Sequence, residues 1–313
     1  MFGRTEPEVL VVGAGPVGLL TALMLAKNGV RVMVVDRDWR TGAHSYALAL
    51  HPQSLRMLAQ LDMLQPVLDR ANRIRTIGVY DRAARRAELQ LAAADDLAWS
   101  VAVLPQDVLE RALEQALERA GVPVLWNHAV SRLTLQPDGA VATVDRLVKE
   151  SVGYAVARTE WMVAKSRDLR VQFVIGADGH QSLVRRALGL DFPEVGAAQH
   201  FAVFEFESDA DLGHEMRLTL TEQTSDVVWP LPERRCRWSF QVVDTEAPAA
   251  SRTKDRIPVE IGGARYPQLD KDRLRGLIYD RAPWFTGQIE QIHWRMLVRF
   301  ERRLVSSFGR DRV

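Results

Sequence analysis

The run Gly13-Ala14-Gly15-Pro16-Val17-Gly18 fits the spacing G-x-G-x-x-G, and an acidic residue, Asp36, follows 36 − 18 = 18 positions after the last of these glycines. In this pattern the first glycine permits a tight turn and the second lets backbone approach a pyrophosphate. The third lets helix and strand pack closely, and the acidic side chain accepts hydrogen bonds from a ribose. A helix starting at such a turn also offers free N–H groups and the positive end of its dipole to the phosphates. The motif alone leaves FAD and NAD both open, and Asp36 argues only against a 2′-phosphate on that ribose. A second stretch, Val174-Ile175-Gly176-Ala177-Asp178-Gly179-His180-Gln181-Ser182-Leu183-Val184-Arg185-Arg186, has the Asp-Gly chemistry of a turn feeding a helix capped by Ser182. His44, His51, His180, His200, His214 and His293 show no metal-ligand spacing, and no Ser-His-Asp or C-x-x-C arrangement occurs. No metal site is therefore assigned, and the catalytic residues stay unassigned.

The elements that must position these residues are readable as periodicity. Val9 to Val12 is a short continuous apolar run, as expected of a parallel strand covered on both faces. Leu19 to Asn28 reads as a helix closed by Gly29, and Val30 to Val35 as a second strand ending at Asp36, which makes a βαβ unit. Pro52 to Leu64 and Gln106 to Ala120 are amphipathic helix candidates, and Val122 to Trp126 a further strand. Between Ala129 and Phe173 alternating segments divided by Pro137-Asp138-Gly139 predict a hairpin or meander, followed by a buried strand at Val171 to Ile175. Beyond residue 190 the pattern changes. Phe201 to Glu207, Met216 to Thr221, Asp226 to Pro230 and Arg237 to Val243 read as antiparallel strands, Ala247 to Pro258 as a polar loop, Asp270 to Asp280 as a helix and Ile289 to Phe300 as a long strand.

These elements predict an α/β fold: a doubly wound, Rossmann-like dinucleotide domain with an inserted, mostly antiparallel β-sheet domain. The expected division assigns 1–75 and 101–190 to the first, 76–100 and 191–300 to the second, and 301–313 to an incomplete return toward the first. With 41 basic and 40 acidic residues the net charge is +1, so no overall field draws nucleic acid or an anionic membrane. The uncharged run Val9 to Ala26 reaches the lower bound of a membrane span, but its three glycines and Pro16 suit a strand, turn and helix instead. The single cysteine, Cys236, fits a buried structural thiol in a reducing cytoplasm.

The second stretch decides between the cofactors by likeness. It resembles the G-A-D-G-x-x-S-x-V-R segment of the class A flavoprotein monooxygenases, aromatic hydroxylases related to para-hydroxybenzoate hydroxylase and phenol hydroxylase, at Gly176, Ala177, Asp178, Gly179, Ser182, Val184 and Arg185. The resemblance implies FAD as cofactor, with Asp178 and Gly179 near its pyrophosphate and the route of the nicotinamide donor. Ala47 to Leu55 is similar to the family segment that crosses beneath the flavin, and Leu104-Pro105-Gln106 to a helix start whose glutamine contacts the cofactor. Tyr46 stands where family members often carry arginine. Trp229-Pro230-Leu231-Pro232 and Arg237-Trp238-Ser239-Phe240 are similar to the sheet that roofs the substrate pocket. Their aromatics line either that pocket or, as the simpler reading, the sheet core.

The implied activity is hydroxylation of an aromatic substrate, phenolic or polyketide-like, with FAD, NADH or NADPH as electron donor, and O2. A non-hydroxylating FAD oxidoreductase of the same fold and a non-catalytic fragment are the alternatives. The implied cofactor ligands are Gly13, Gly15, Gly18, Asp36, Gln106, Asp178 and Gly179. In the family a stretch like Phe308 to Val313 leads into a buried strand and a second flavin motif, Gly-Asp-Ala-Ala-His, so a chain stopping at Val313 is expected to bind FAD weakly or not at all.

Overall fold

A computed structural model describes residues 6–39, 48–91, 101–152, 158–243, 259–261, 264–266 and 269–313. His44, Tyr46, Ala47 and the predicted polar loop of 247–258 lie outside the described residues. Four short strands form one parallel sheet in the order Phe173–Gly176, Val9–Val12, Val32–Val35, Val124–Leu125. Alternation along Val9–Val12 assigns its two faces. Val9 and Val11 pack on Leu19, Ala22 and Leu23 of the helix Pro16–Lys27 and on Leu113 and Leu117 of the helix Gln106–Arg119. Leu10 and Val12 face Val130, Ala142, Val144 and Leu169 of a three-stranded antiparallel sheet, His128–Gln136, Gly139–Val152 and Arg158–Val171. With both faces dry, the strands need no polar alternation, which is why they read as continuous apolar runs.

A seven-stranded sheet follows the order Ile292–Arg303, Glu194–Glu207, Arg235–Val242, Ser225–Pro230, Glu215–Leu220, Thr76–Asp81, Ala84–Gln90. It is antiparallel apart from the Glu215–Leu220 and Thr76–Asp81 pair, which runs parallel. One face is sealed by the helix Lys271–Arg281, whose Leu274, Leu277 and Ile278 meet Phe204, Phe206, Trp238 and Phe240. Trp238 is wholly buried, stacked on Phe240 with centroids 4.8 Å apart and met edge-on by Phe285 at 5.6 Å. The end of that helix is pinned by a buried ion pair. Arg281 Nη1 donates to Asp226 Oδ1 at 3.1 Å and to the Gln241 carbonyl at 2.7 Å. A small antiparallel sheet, Ala49–Leu50, Val101–Val103 and Asn72–Ile74, lies against the other face through Ile74, Val103, Leu231, Met216 and Trp229.

Several boundaries depart from the sequence reading, each for a local reason. The helix starting at Pro16 begins three residues before the expected Leu19, because proline is tolerated in the first turn. The predicted helix of 52–64 is two helices, Pro52–Gln60 and Leu64–Leu68, broken where Asp62 takes φ +57°. The strand expected at 171–175 is interrupted at Gln172: Val171 ends the long hairpin arm and Phe173 starts the parallel strand. The uncharged run from Val9 divides into a four-residue strand and a twelve-residue helix, and among the described residues no helix is long and apolar enough to cross a membrane. The final residues lie beside the parallel sheet, where Val174 N donates to the Arg312 carbonyl at 3.0 Å and Val313 packs against the core.

Because Trp238 touches Phe240, Trp284 and Phe285 at full burial, Trp238→Ala is expected to cost about 3–5 kcal/mol of unfolding free energy. Urea denaturation followed by circular dichroism checks this. A loss below about 1 kcal/mol would mean the aromatic cluster does not hold the sheet to its helix.

Candidate functional site

The two glycine turns meet at the carboxyl edge of the parallel sheet, because the strands that precede them, Val9–Val12 and Phe173–Gly176, are neighbours in it. Gly13 has φ +105°, and a side-chain carbon on it would collide with the Ala177 carbonyl and come within 2.9 Å of Asp178 N. A side chain on Gly18 would collide with the Gly13 carbonyl and crowd Ala177 Cβ at 3.3 Å. Gly15 and Gly179 are different: a side-chain carbon on either meets no atom within 4 Å, so open space lies over both turns. Gly15 also caps the helix Pro16–Lys27 without any side-chain bond to its first turn. An uncapped helix start with room above it suits an anion, since the dipole and the free N–H groups both point there.

Asp36 follows Val32–Val35 and turns back on the first loop. Its Oδ2 accepts from Ala14 N at 2.6 Å and its Oδ1 from Asp38 N at 2.8 Å. Burial raises its pKa above the ordinary carboxylate value, opposed by those two backbone bonds. Each oxygen holds one of these bonds and retains a lone pair for a hydroxyl donor.

Asp178 closes its own turn. Its Oδ1 accepts from Ser182 Oγ at 2.6 Å, its Oδ2 from Leu183 N at 2.6 Å and Val184 N at 3.2 Å, and Ser182 Oγ accepts from Arg185 N at 3.0 Å. The side chain that the family resemblance associates with the pyrophosphate therefore fixes the loop carrying Gly179, whose φ is +73°.

Gln106 opens the helix Gln106–Arg119, and Leu104 N donates to the Leu48 carbonyl at 3.0 Å, tying this helix start to the segment before the Pro52–Gln60 helix. Gln106 Nε2 donates to Glu110 Oε1 at 2.7 Å. Glu110 escaped the sequence reading. It is only 4% exposed, and burial pushes its pKa up to about 7, with the charges of Asp107 and Asp36 adding to the rise and Gln106 and Arg111 opposing it. The signal was available: Glu110 sits between Leu109 and Leu113 in the stripe Leu109, Ala112, Leu113, Ala116 that faces the core.

Opposed residues on paired strands share a face, which sorts the predicted roof aromatics. Trp238 and Phe240 lie on the face sealed by the helix Lys271–Arg281 and are sheet core. Trp229 lies on the other face, beside Val103, Met216 and Leu231. By register Trp229 pairs with Arg237, and the adjacent row on this face is Val227, Ser239, Val203 and Met296, apolar with one hydroxyl. Next along this face Arg237 Nη2 meets Glu205 Oε2 at 2.5 Å in a buried pair, with its guanidinium 5.0 Å from the centre of the Trp294 ring. Cys236 is buried, which pushes its thiol pKa up and keeps it unreactive. Among the described residues no His, Cys, Asp and Glu group has the arrangement of a metal site.

The FAD binding domain family matches residues 6–284. The rifampicin monooxygenase of Streptomyces venezuelae (strain ATCC 10712) is 30% identical over 216 residues, which cover 69% of this chain and 40% of that protein. The para-nitrophenol 4-monooxygenase of Pseudomonas sp. (strain WBC-3) is 31% identical over 200 residues, 60% of this chain and 44% of that one. The chain thus spans less than half the length of these relatives. Among solved structures, p-nitrophenol 4-monooxygenase PnpA from Pseudomonas putida DLL-E4 superposes with a TM-score of 0.75 at 21% identity, over 98% of this chain and 71% of that one. The flavin-dependent monooxygenase PieE, solved with FAD and substrate, gives 0.74 at 18% identity, over 99% and 52%. At these identities the structures show the shared fold.

The raised pKa of Glu110 has a sign that can be measured. The folded state holds this proton up to about pH 7, whereas an unfolded glutamate releases it near 4.5, so wild-type stability falls as pH rises across that window. Glu110→Gln lacks this slope and still accepts from Gln106, so its stability relative to wild type is expected to increase from pH 4.5 to 7 and then level off. Parallel urea titrations of the two proteins give the difference, and a constant difference would mean that Glu110 titrates in the fold as it does in the unfolded chain.

Proposed function

The chain belongs to the FAD binding domain family, and from that membership we propose that the protein is an FAD-dependent monooxygenase that hydroxylates an aromatic substrate, phenolic or polyketide-like, using NADH or NADPH and O2. The observation that carries this reading is the pair of glycine turns in mutual contact, with open space over Gly15 and Gly179 beside an uncapped helix start. The relatives named as monooxygenases support the reaction class.

FAD, when bound, would pass two electrons from the nicotinamide donor to O2, one atom of which enters the substrate while the other leaves as water. The protein's own part is holding and screening. The start of the helix Pro16–Lys27 would take the pyrophosphate across Gly15, with Gly13 and Gly18 keeping the turn tight enough to reach it. Asp36 would accept from the adenosine ribose. Asp178 would act through the loop it closes, keeping the backbone at Gly179 in place, and Gln106 would bond the cofactor from the next helix. A flat substrate would lie on the sheet face of Val203, Val227, Ser239 and Met296, where the hydroxyl of Ser239 can orient a phenolic oxygen and the apolar neighbours exclude water.

In this reading 1–75 and 101–190 form the FAD-binding part and 76–100 and 191–300 the substrate part. The pairing of Thr76–Asp81 with Glu215–Leu220 supports it, since it joins the first insertion to the later sheet. A cytoplasmic location belongs to the same proposal, supported by the single, buried cysteine.

Purified protein supplied with enough FAD to offset weak binding is expected to oxidise NADH or NADPH faster when a phenol is present, and to yield a product one oxygen atom heavier by mass spectrometry. Hydrogen peroxide as the only oxygen product would favour a non-hydroxylating FAD oxidoreductase. A protein that stays colourless with excess FAD would favour a fragment without catalytic function.

A further inference from the structure

We propose that Glu110 is a positioning residue for Gln106: by accepting the hydrogen bond from Gln106 Nε2 it fixes which end of that amide is turned to the cofactor. The inference rests on the reading above in which Gln106 contacts FAD.

Glu110 is almost fully buried at a helix position where leucine or alanine would pack without any desolvation cost, and among the described residues it has no cationic partner. Arg111, its nearest basic neighbour in sequence, is paired with Asp107 at 2.7 Å. The hydrogen bond it does make goes to Gln106, one turn earlier, where the i, i+4 spacing brings the two side chains together. A carboxylate can only accept, so it selects the NH2 end of the amide. Gln106 then presents its carbonyl oxygen, which suits a hydroxyl donor on the cofactor and disfavours an amide turned the other way. A protonated carboxyl has a donor of its own and tolerates either amide orientation, so the selection weakens below the Glu110 pKa of about 7. The charged groups acting on that titration are Asp107 and Arg111 on the same helix and Asp36 at the end of Val32–Val35. The packed helices Pro16–Lys27 and Leu64–Leu68 add only Lys27, which bonds Asp62, and the strand Val124–Leu125 adds no charge.

The test is FAD affinity of the apo-protein, read from quenching of flavin fluorescence, for wild type, Gln106→Ala, Glu110→Ala, the double variant and Glu110→Gln. At pH 8 each alanine variant is expected to bind FAD about tenfold more weakly than wild type, and the double variant no more weakly than either, because both remove the same contact. Wild-type affinity is expected to fall from pH 8 to pH 6 while that of Glu110→Gln stays flat. Repulsion between an ionised Glu110 and the pyrophosphate would give the opposite slope. Losses that multiply in the double variant, or a wild-type affinity that rises as pH falls, would overturn the inference. Should Glu110→Ala fail to fold, the pH comparison with Glu110→Gln still decides it. A wild-type protein that takes up no FAD overturns the function reading and this inference together. Normal uptake that Asp36→Ala weakens but Gln106→Ala does not overturns the inference alone.

Discussion

The contact between the backbone of Gly13 and the carbonyl of Ala177 is the constraint on which the rest of this fold turns. Two loops 177 − 13 = 164 residues apart touch through atoms that leave no room for a side chain. They can do so only because Val9–Val12 and Phe173–Gly176 are hydrogen-bonded in parallel register, which puts both loops on the same edge of the sheet. That register in turn needs both sheet faces covered, by the Pro16–Lys27 and Gln106–Arg119 helices on one side and by the three-stranded sheet on the other. The site is thus a by-product of strand adjacency, and its open space over Gly15 and Gly179 is what remains once the loops have closed on each other.

What could be read from the sequence follows from how local its cause is. Glycine spacing, a Pro-Asp-Gly turn and short apolar runs each encode their own backbone, so the first βαβ unit, the hairpin about residues 137–139 and the Gln106 helix were legible in advance. Asp62 in the left-handed region was not, since nothing in Leu61-Asp62-Met63 requires a turn. Nor was the parallel pairing of Thr76–Asp81 with Glu215–Leu220, which depends on contacts across some 140 residues. At the site, glycine and Asp36 announce themselves by type and position. Glu110 had to be noticed as a charge inside an apolar helix stripe, a local conflict of the sort that marks functional positions in a consistent fold. The resemblance to flavoprotein hydroxylases drew attention to Asp178, whose carboxylate turns out to hold its own loop together.

The seven-stranded sheet divides its labour by face. Every second residue of Arg235–Val242 goes to the aromatic core under the Lys271–Arg281 helix, and the alternate set, Arg237, Ser239 and Gln241, looks the other way. The stability of this region and its capacity to meet a ligand are therefore encoded in interleaved positions of the same strands. A substitution in the core set acts on stability, and one in the alternate set on what the face can bind. The buried Arg237 and Glu205 pair belongs to the second set and sits beside Trp294, so the face is not uniformly apolar.

The parallel pairing of Val9–Val12 with Phe173–Gly176 also dictates an order of events during synthesis. The first strand leaves the ribosome with one partner, Val32–Val35, close behind it, but its other edge stays unsatisfied until Phe173–Gly176 has been made, 173 − 12 = 161 residues later. At ordinary translation speeds of roughly 5–20 residues per second that interval is on the order of ten seconds or more. Throughout it, a wholly apolar strand presents an open edge, the usual starting point for wrong pairing. The nascent chain is accordingly most vulnerable to misassembly, and most in need of chaperone cover, before its second glycine turn emerges.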